Sequence, residues 1–274
     1  MVEMSETTFE TLHLSKTPDR IMVGAEPIFI DQGETAFLFL HGFTGSPYEG
    51  RSFAEHFARK GYAVWVPLLP GHGTAPEDME NMPYQAWLKA AEDYYGKIKA
   101  QYKRIIVCGQ SMGGALALHL AARFPVDGVI SLAGAIFIKN WRLYLLPFTK
   151  HLIRYQYKPN GPDIRNKMAK VKSASYYKYP TKSITQFLKL IHLVKSELPQ
   201  VKSPCLLIHS QKDHTVTYKN LDYIFQHVSS KKRRKLTLKN SYHIISEDEE
   251  KIEIFEAIEN FMQEIYLDEN HRNP

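Results

Sequence analysis

The pentapeptide Gly109–Gly113, Gly-Gln-Ser-Met-Gly, is the pattern that most directly predicts chemistry in this sequence. It follows a short apolar run, Arg104–Cys108, and opens an Ala- and Leu-rich helical stretch, Met112–Phe124. A serine on a sharp strand-to-helix turn has a strained backbone and an exposed hydroxyl, and only very small residues fit beside it. The context therefore predicts that Ser111 is a nucleophile rather than part of an ordinary Gly-Ser turn.

Two residues far along the chain could activate this serine. A serine hydroxyl is a poor nucleophile near neutral pH, so it needs a neighbouring base and an acid that orients the base. When the serine lies on such an elbow, the acid and then the histidine follow it along the chain. Asp213 comes just after the apolar run Cys205–His209, and His243 lies between the last strand pattern and the final helix. The order predicts a catalytic triad of Ser111, Asp213 and His243.

Other acids and histidines remain as weaker alternatives. Asp213 could be an ordinary turn aspartate, and Asp222, the second candidate acid, lies within a helical pattern. His227 precedes the last strand and is expected to end a helix, where a cationic residue suits the helix dipole. His214 directly follows the candidate acid, and adjacent side chains in a turn rarely face each other. His209 lies within a strand, where a core or rim position is expected.

The oxyanion of a tetrahedral intermediate needs two fixed N–H donors. The amide of Met112, directly after the serine, is one predicted donor, and the Phe43 amide, in the loop after the apolar run Ala36–Leu40, is the other. The side chains of Phe43 and Met112 should then form apolar walls beside the reacting carbon. His41 and His72 lie in Gly-containing loops, and we expect both to brace these loops rather than to act in catalysis.

Strand and helix patterns alternate along most of the chain, which predicts a mostly parallel, doubly wound sheet with helices on both faces. The alternation lapses from Phe137 to Pro199, after the predicted strand Gly128–Leu132. An insertion there lies at the carboxyl ends of the strands, where active sites of open α/β sheets occur. We therefore expect residues 1–135 and 200–274 to form the core and residues 136–199, the cap segment, to form a lid.

Charge and composition limit the class of protein. The chain has 274 residues, 44% apolar content and a net charge of +6, as in a globular protein with one large core. No run approaches the roughly 20 apolar residues that cross a bilayer, and the first 20 residues lack a signal-peptide layout. Two cysteines, Cys108 and Cys205, fall in strand-like runs and should be buried and reduced. These features predict a cytoplasmic protein.

The cap segment differs from the core in charge and in apolar patterning. Its stretch Ile136–Gln200 has 13 Lys or Arg against two acids, so it carries +11. This charge predicts contact with anionic lipid or, more simply, a solvated lysine face. The apolar cluster between 143 and 153 is expected to line an acyl channel or to touch lipid. Its predicted substrate-binding residues are Leu143, Leu145, Leu146 and Phe148.

Two further patterns have simpler explanations. Phe187, Leu188, Leu190, Ile191 and Val194 recur at helical spacing, and we expect them mainly to pack the cap segment onto the core. The basic run Lys231–Lys235 could suggest nucleic acid, but we expect an exposed loop beside a strand and no nucleic-acid partner.

Together these residues resemble the α/β-hydrolases, and more narrowly the bacterial carboxylesterases and monoacylglycerol lipases with a small helical cap. The resemblance spans Pro27 to about Met262 outside the cap segment. It implies a cap inserted after the sixth strand, and it implies the triad and the oxyanion donors named above. The matching blocks are Leu40–Pro47, Gly71–Thr74, Glu77–Met79, Gly109–Gly114, Asp213–His214 and Asn240–His243.

Two departures from the resemblance bear on the substrate. Gln110 stands where similar proteins often carry an apolar residue. Monoacylglycerol lipases of this kind use a cap carboxylate near the glycerol end, whereas the cap segment here offers only Asp163 and Glu197, with His151 near the relevant place. The sequence therefore favours a general esterase over strict monoacylglycerol selectivity.

The sequence predicts a serine carboxylesterase or lipase that acts on short-to-medium acyl esters, with monoacylglycerols among the candidates. The same triad also serves amide hydrolysis, acyl transfer and carbon–carbon cleavage, and a hydrolase-fold binding protein with low turnover is a further alternative. We expect no metal or organic cofactor, because no spacing such as His-Glu-x-x-His occurs in the sequence. The oligomeric state stays open.

Overall fold

The computed structural model describes residues 21–138 and 152–272 of the chain. Short 3₁₀ turns at 47–50, 198–200 and 245–247 supplement the main elements. The strands are β1 (Ile28–Ile30), β2 (Thr35–Leu40), β3 (Ala63–Val66), β4 (Arg104–Gln110), β5 (Gly128–Leu132), β6 (Tyr155–Tyr157), β7 (Lys178–Pro180), β8 (Cys205–Ser210) and β9 (Arg233–Leu238). The helices are α1 (Arg51–Arg59), α2 (Pro76–Glu80), α3 (Tyr84–Lys99), α4 (Met112–Arg123), α5 (Lys167–Lys172), α6 (Thr181–Glu197), α7 (Lys219–His227) and α8 (Lys251–Arg272).

In the part of the chain that the structure describes, seven strands form one sheet in the order β1-β3-β2-β4-β5-β8-β9. All neighbours are parallel except β1, which pairs antiparallel with β3. The central strands β2, β4, β5 and β8 are almost entirely buried, since helices cover both faces and their sequences are near-continuous apolar runs. The predicted mostly parallel α/β sheet is therefore confirmed.

Helices cover both faces because successive strand residues point to opposite sides. Phe37 and Phe39 of β2 pack with α1 and α8, while Leu38 and Leu40 pack in the cluster that contains α3, α4 and α7. Each side is a continuous apolar cluster, so the sheet is doubly wound as predicted.

The parallel arrangement gathers the predicted site residues at one edge of the sheet. Phe43 follows the end of β2, Ser111 follows β4, Asp213 follows β8 and His243 follows β9. Because these strands are parallel, their carboxyl ends meet at the same edge, where open α/β sheets bind their ligands.

Two details of the sequence interpretation need correction. In the described residues the cap segment follows β5, the fifth strand, rather than a sixth. Only the four strands β1 to β4 precede β5 in that part of the chain. The run Lys231–Lys235 is not wholly a loop, since β9 begins at Arg233. β9 is an edge strand, and charged side chains commonly protect such an edge from unwanted pairing.

The described part of the cap segment contains a two-stranded antiparallel sheet, β6 and β7, and the helices α5 and α6. Helix α6 buries Phe187, Leu190, Ile191 and Val194 in the core cluster beside α3 and α4, which confirms their packing role. Leu188 is only partly buried. In contrast, α5 buries none of its side chains.

Two further observations concern the composition arguments. Cys108 and Cys205 are both free and fully buried, as expected. Among the helices of the described residues, none is long and apolar enough to cross a membrane.

Candidate active site

The turn after β4 places Ser111 in a conformation that L-residues rarely adopt. Its φ is 58° and its ψ is −112°, in the positive-φ region where strain of about 1–3 kcal/mol is typical. A Cβ on Gly109 would lie 2.2 Å from the Gly113 carbonyl, and one on Gly113 would lie 1.8 Å from the Leu40 oxygen. Both neighbours are backbone atoms that cannot rotate away. The expectation that only very small residues fit at these positions is confirmed, and here even a Cβ is too large.

The three residues predicted to form a triad lie in one hydrogen-bonded line. The Ser111 Oγ lies 2.9 Å from Nε2 of His243. The other ring nitrogen, Nδ1, lies 2.7 Å from Oδ2 of Asp213. A carboxylate can only accept here, so Nδ1 carries the proton and Nε2 is free to accept the serine proton. This is the tautomer that a general base needs.

Asp213 is held by four donors. Its Oδ1 accepts the backbone N–H groups of Thr215 (2.8 Å) and Val216 (2.7 Å). Its Oδ2 accepts from His243 and from Nε2 of His209 at 2.9 Å. Burial alone would raise the pKa of Asp213, but the charge and hydrogen bonds of the two histidines outweigh burial and hold that pKa well below its ordinary value. The carboxylate therefore stays ionised.

His209 and Gln110 are site residues that the sequence reasoning missed. His209 is buried in β8, as expected, but the turn after β8 also brings its side chain to Asp213, four positions further along the chain. Gln110 is buried and its Nε2 donates to the His243 carbonyl at 2.8 Å. The polar residue before the serine therefore ties the elbow to the histidine loop, which explains this departure from the resemblance.

His243 lies among three carboxyl groups. Burial would lower its pKa, but the carboxylate of Asp213, followed by those of Asp163 and Glu49, outweighs burial and raises the pKa of His243 above its ordinary value. The residue is only 7% exposed, so these charges act through a poorly solvated medium. The charged form of His243 is therefore stabilised electrostatically.

The loop after β2 lies directly beside the serine. A Cβ on Gly42 would be 3.4 Å from the Ser111 Cβ. The Gly42 N–H donates to Oε2 of buried Glu49 at 2.6 Å, and Thr44 has a φ of 66°. Burial raises the pKa of Glu49 to about 7, against the opposing effect of that hydrogen bond. A buried carboxyl group thus supports the loop that carries Phe43.

The cap segment reaches this loop through Lys158. Its ammonium donates to Oγ1 of Thr44 and lies 5.9 Å from the Tyr179 ring centroid. Desolvation lowers the pKa of Lys158 to about 8, although Glu49 opposes the change. The Phe43 ring stacks on Phe187 with ring centroids 5.0 Å apart. The Phe43 side chain is therefore fixed between the core and the cap segment.

His41 and His72 brace their loops, as expected. His41 accepts the Leu69 N–H on Nε2 (3.1 Å), and its Nδ1 lies 3.0 Å from the Gly42 oxygen. The Nδ1 of His72 lies 3.0 Å from the Pro70 oxygen. Burial lowers the pKa of His41 to about 4 and that of His72 well below its ordinary value, so both rings stay neutral.

The weaker alternatives lie away from the serine. The Nδ1 of His227 is 2.7 Å from the Tyr223 oxygen at the end of α7, and Asp222 pairs with Lys235 at 2.7 Å on the surface. The Nδ1 of His214 lies 2.9 Å from Asp163. Among the hydrogen bonds and ion pairs of the described residues, none joins these three side chains to Ser111 or His243.

The predicted substrate contacts of the cap segment fall partly outside the described residues. Both carboxylates of the cap segment are engaged by histidines, Asp163 by His214 (2.9 Å) and Glu197 by His119 (2.6 Å). Neither faces the reacting serine as a free group. Within residues 21–138 and 152–272, no cluster of three or more His, Cys, Asp or Glu could hold a metal ion. Outside the described residues lie Leu143, Leu145, Leu146, Phe148 and His151.

A mostly parallel sheet wrapped by helices, with a strained serine between strand and helix, defines the α/β-hydrolase fold. Residues 31–250 match the Hydrolase_4 family model, described as serine aminopeptidase, S33, and the chain belongs to that family. The resemblance stated from the sequence is therefore confirmed at the level of fold and family.

Individual relatives carry ester-hydrolase names. The chain is 37% identical over 229 residues to a thermostable monoacylglycerol lipase of Bacillus sp. (strain H-257), covering 83% of this chain and 90% of the relative. It is 24% identical to a carboxylesterase of Bacillus subtilis (strain 168), and the match covers 89% of this chain and 98% of that relative.

Solved structures agree with this fold. A structure from the metagenome-derived lipolytic enzymes LipS and LipT has a TM-score of 0.85 and 32% identity, covering 89% of this chain and 100% of that chain. The monoacylglycerol lipase of Paleococcus ferrophilus has a TM-score of 0.74, and the match covers 88% of this chain and 98% of that chain. At 18% identity this likeness shows the fold alone.

Proposed function

We propose that the protein is a serine carboxylesterase or lipase that hydrolyses carboxylic esters through an acyl-enzyme. The observation that carries this proposal is the line of hydrogen bonds from Ser111 through His243 to Asp213. The names of the relatives above, a monoacylglycerol lipase and a carboxylesterase, support ester substrates over other bonds.

The geometry supports a two-step reaction. His243 Nε2 takes the proton of the Ser111 hydroxyl as the oxygen attacks the ester carbonyl, and a tetrahedral intermediate forms. His243 then gives the proton to the departing alcohol and leaves an acyl-serine. In the second step the histidine deprotonates water, which attacks the acyl carbon and releases the acid. Asp213 fixes the tautomer and stabilises the imidazolium throughout.

The oxyanion of both intermediates would be bound by the amides of Met112 and Phe43. Met112 is the first residue of α4, and first-turn amides have no acceptor within their own helix. Phe43 follows Gly42, whose α-carbon lies close to Ser111. The helix dipole of α4 adds to the stabilisation of negative charge at this point.

The cap segment, residues 136–199, would cover the acyl group. The stacked Phe43 and Phe187 rings support an apolar wall next to the serine. We propose that the protein favours acyl chains of short to medium length. Monoacylglycerols are candidate substrates. Because Asp163 and Glu197 both bind histidines, recognition of a glycerol group by a free cap carboxylate is not part of the proposal.

An acyl-chain series tests the proposal. Wild type should hydrolyse p-nitrophenyl esters and monoacylglycerols, and Ser111→Ala should lose about 10³-fold or more in kcat. An aminoacyl p-nitroanilide, included because of the family description, should be a far poorer substrate. A fluorophosphonate should label wild type at Ser111 but not His243→Ala. Wild-type turnover in Ser111→Ala would refute the assignment, and faster anilide than ester turnover would favour amide hydrolysis.

We also propose that the cap segment contacts anionic lipid. In α5, Met168 is 66% and Val171 is 85% exposed between three lysines, and Leu152 and Tyr157 are exposed nearby in the chain. Apolar and basic side chains together suit an anionic interface. Cosedimentation with vesicles containing phosphatidylserine should exceed that with neutral vesicles and should fall in a Met168→Ser, Val171→Ser variant. Equal binding to both vesicles would remove this proposal.

A cytoplasmic location is the third proposal. Cys108 and Cys205 are buried free thiols, which suits a reducing compartment. Fractionation of the source cells should recover the protein with cytoplasmic markers, and recovery with secreted protein would contradict it.

A further inference from the structure

The loop between β6 and α5 in the cap segment contacts the segment that carries the candidate base. The main-chain oxygen of Asp163 accepts the N–H of His243 at 3.0 Å and the N–H of Ile244 at 3.1 Å. Two amides of the histidine loop are thereby satisfied by one residue of the cap segment. The backbone at His243 is therefore fixed from outside the core.

The side chain of the same residue contacts the segment that carries the candidate acid. Oδ2 of Asp163 accepts the N–H of His214 at 3.1 Å and the hydroxyl of Thr215 at 3.3 Å, and Oδ1 lies 2.9 Å from Nδ1 of His214. These two residues directly follow Asp213. One aspartate thus bridges both loops through its main chain and its carboxylate.

A second aspartate anchors the neighbouring residues of the cap segment. Buried Asp248 accepts the N–H groups of Arg165 (3.0 Å to Oδ2) and Asn166 (2.8 Å to Oδ1), and it accepts the Tyr242 N–H at 2.7 Å. The segment around Asp163 is therefore tied to the histidine loop at two points. The bridge is therefore supported by several hydrogen bonds from two aspartates rather than by a single contact.

We propose that Asp163 is a positioning residue that aligns Asp213 with His243 by holding their loops together. This inference rests on the proposed function. The 2.7 Å contact between the two side chains spans loops from neighbouring strands. The Ser210 hydroxyl bonds to the Ser241 oxygen at the strand ends, whereas Asp163 joins the loops at the reacting residues themselves.

The charge of Asp163 also acts on the imidazole. The titratable groups that face His243 come from three elements: Asp213 after β8, Glu49 beside the loop after β2, and Asp163 in the cap segment. The carboxylates of Asp213 and Asp163, and that of Glu49 where it is ionised, favour the imidazolium. Removing one of them therefore lowers the pKa of His243, so the acid limb of the pH–rate profile moves to lower pH.

Asp163→Ala and Asp163→Asn separate the two effects. Both variants keep the main-chain bonds to His243 and lose the charge, so both should shift the acid limb of kcat/KM to lower pH. The alanine variant also loses every side-chain acceptor, so its plateau kcat should fall roughly ten-fold with KM nearly unchanged. The asparagine variant retains one acceptor oxygen and should lose less. Rates are normalised to active sites titrated with a fluorophosphonate.

Glu197→Gln is the matched control, because it removes the other acid of the cap segment far from the triad. Its acid limb and its kcat per titrated site should equal those of wild type. If Asp163→Ala keeps the wild-type plateau and acid limb, or only melts earlier, Asp163 is not a positioning residue. That failure differs from failure of the proposed function, in which wild type itself would not hydrolyse esters faster than Ser111→Ala.

Discussion

The two halves of the candidate active site are held by different physical means. On the nucleophile side, Ser111 is fixed by steric exclusion, since the backbone packs so closely that Gly109 and Gly113 leave no room for a Cβ. On the acid–base side, Asp213 and His243 are fixed by hydrogen bonds. Their partners are His209 at the end of β8, two backbone N–H groups of the loop after β8, Gln110, and Asp163 of the cap segment.

This difference predicts two patterns of mutational response. A steric constraint fails all at once, because a backbone clash cannot be relieved by rotating a side chain. A hydrogen-bonded arrangement fails in steps, because each donor contributes a part and the remaining donors keep the geometry. Charged partners also make the second half sensitive to pH, whereas the first half has no titrating group in the turn itself.

The largest effect should follow Gly113→Ala. The new Cβ would lie 1.8 Å from the Leu40 oxygen, so the turn must shift and carry Ser111 with it. We expect kcat/KM to fall by at least about 10⁴-fold, with loss of about 3 kcal/mol of stability. Gly96→Ala is the control, because nothing lies within 4 Å of its Cβ position in α3. Equal activities of the two variants in the ester assay would contradict steric control of the elbow.

The second largest effect should follow Asp213→Asn. The asparagine oxygen would keep the N–H groups of Thr215 and Val216, and the amide nitrogen would then face His243 Nδ1 as a donor. The ring would adopt the other tautomer, with its proton on Nε2 toward the serine, where it cannot act as a base. We expect kcat to fall by about 10³-fold at an unchanged melting temperature. A loss of kcat below ten-fold would show that Asp213 does not set the tautomer of His243.

These two halves were not equally predictable from the sequence. The elbow could be recognised because its requirement is local: two glycines, a serine, a strand before and a helix after. Asp213 and His243 could be placed by chain order, because parallel strands bring their carboxyl ends together. The alternation of strands and helices predicted the sheet for the same reason, and strand bounds differed by one or two residues.

The remaining contacts could not be predicted, since they depend on where distant loops lie in space. The strand pattern correctly predicts a core position for His209, but nothing in that pattern indicates a turn that brings Asp213 back to it. Asp163 was considered only as a candidate for substrate binding, and its main-chain bonds to His243 have no signature in side-chain type. Gln110 was noted as a departure, but its partner is a backbone carbonyl 133 residues away.

A graded effect should follow His209→Phe, which replaces the imidazole by a ring of similar size with no donor. Asp213 would keep three donors, and its pKa would rise because one hydrogen bond to the charged form is lost. We expect kcat to fall roughly ten-fold with KM little changed. His227→Phe is the matched control at the end of α7 and should retain wild-type kcat. A loss as large as that of Asp213→Asn would mean that the acid–base half also fails all at once.

The smallest effect concerns the pH dependence of stability at Glu49, which supports the oxyanion loop on the steric side. Burial raises its folded-state pKa to about 7, above its ordinary value of 4.5. Between these values the folded protein holds a proton that the unfolded chain releases, so the free energy of unfolding falls as pH rises. Glu49→Gln keeps an acceptor for the Gly42 N–H. It removes the titrating group, so this fall in the free energy of unfolding with rising pH should disappear.

Urea unfolding at pH 5 and pH 8 measures this effect. Relative to wild type, Glu49→Gln should gain about 1–3 kcal/mol between the two pH values, because a shifted pKa contributes about 1.4 kcal/mol per unit. Glu256→Gln, at an exposed position of α8, is the control and should differ from wild type by the same amount at both pH values. If Glu49→Gln behaves like this control, the carboxyl group is already ionised when buried. The loop beside Ser111 would then be held by charge, as the acid–base half is, and the contrast between the two halves would be confined to the elbow glycines.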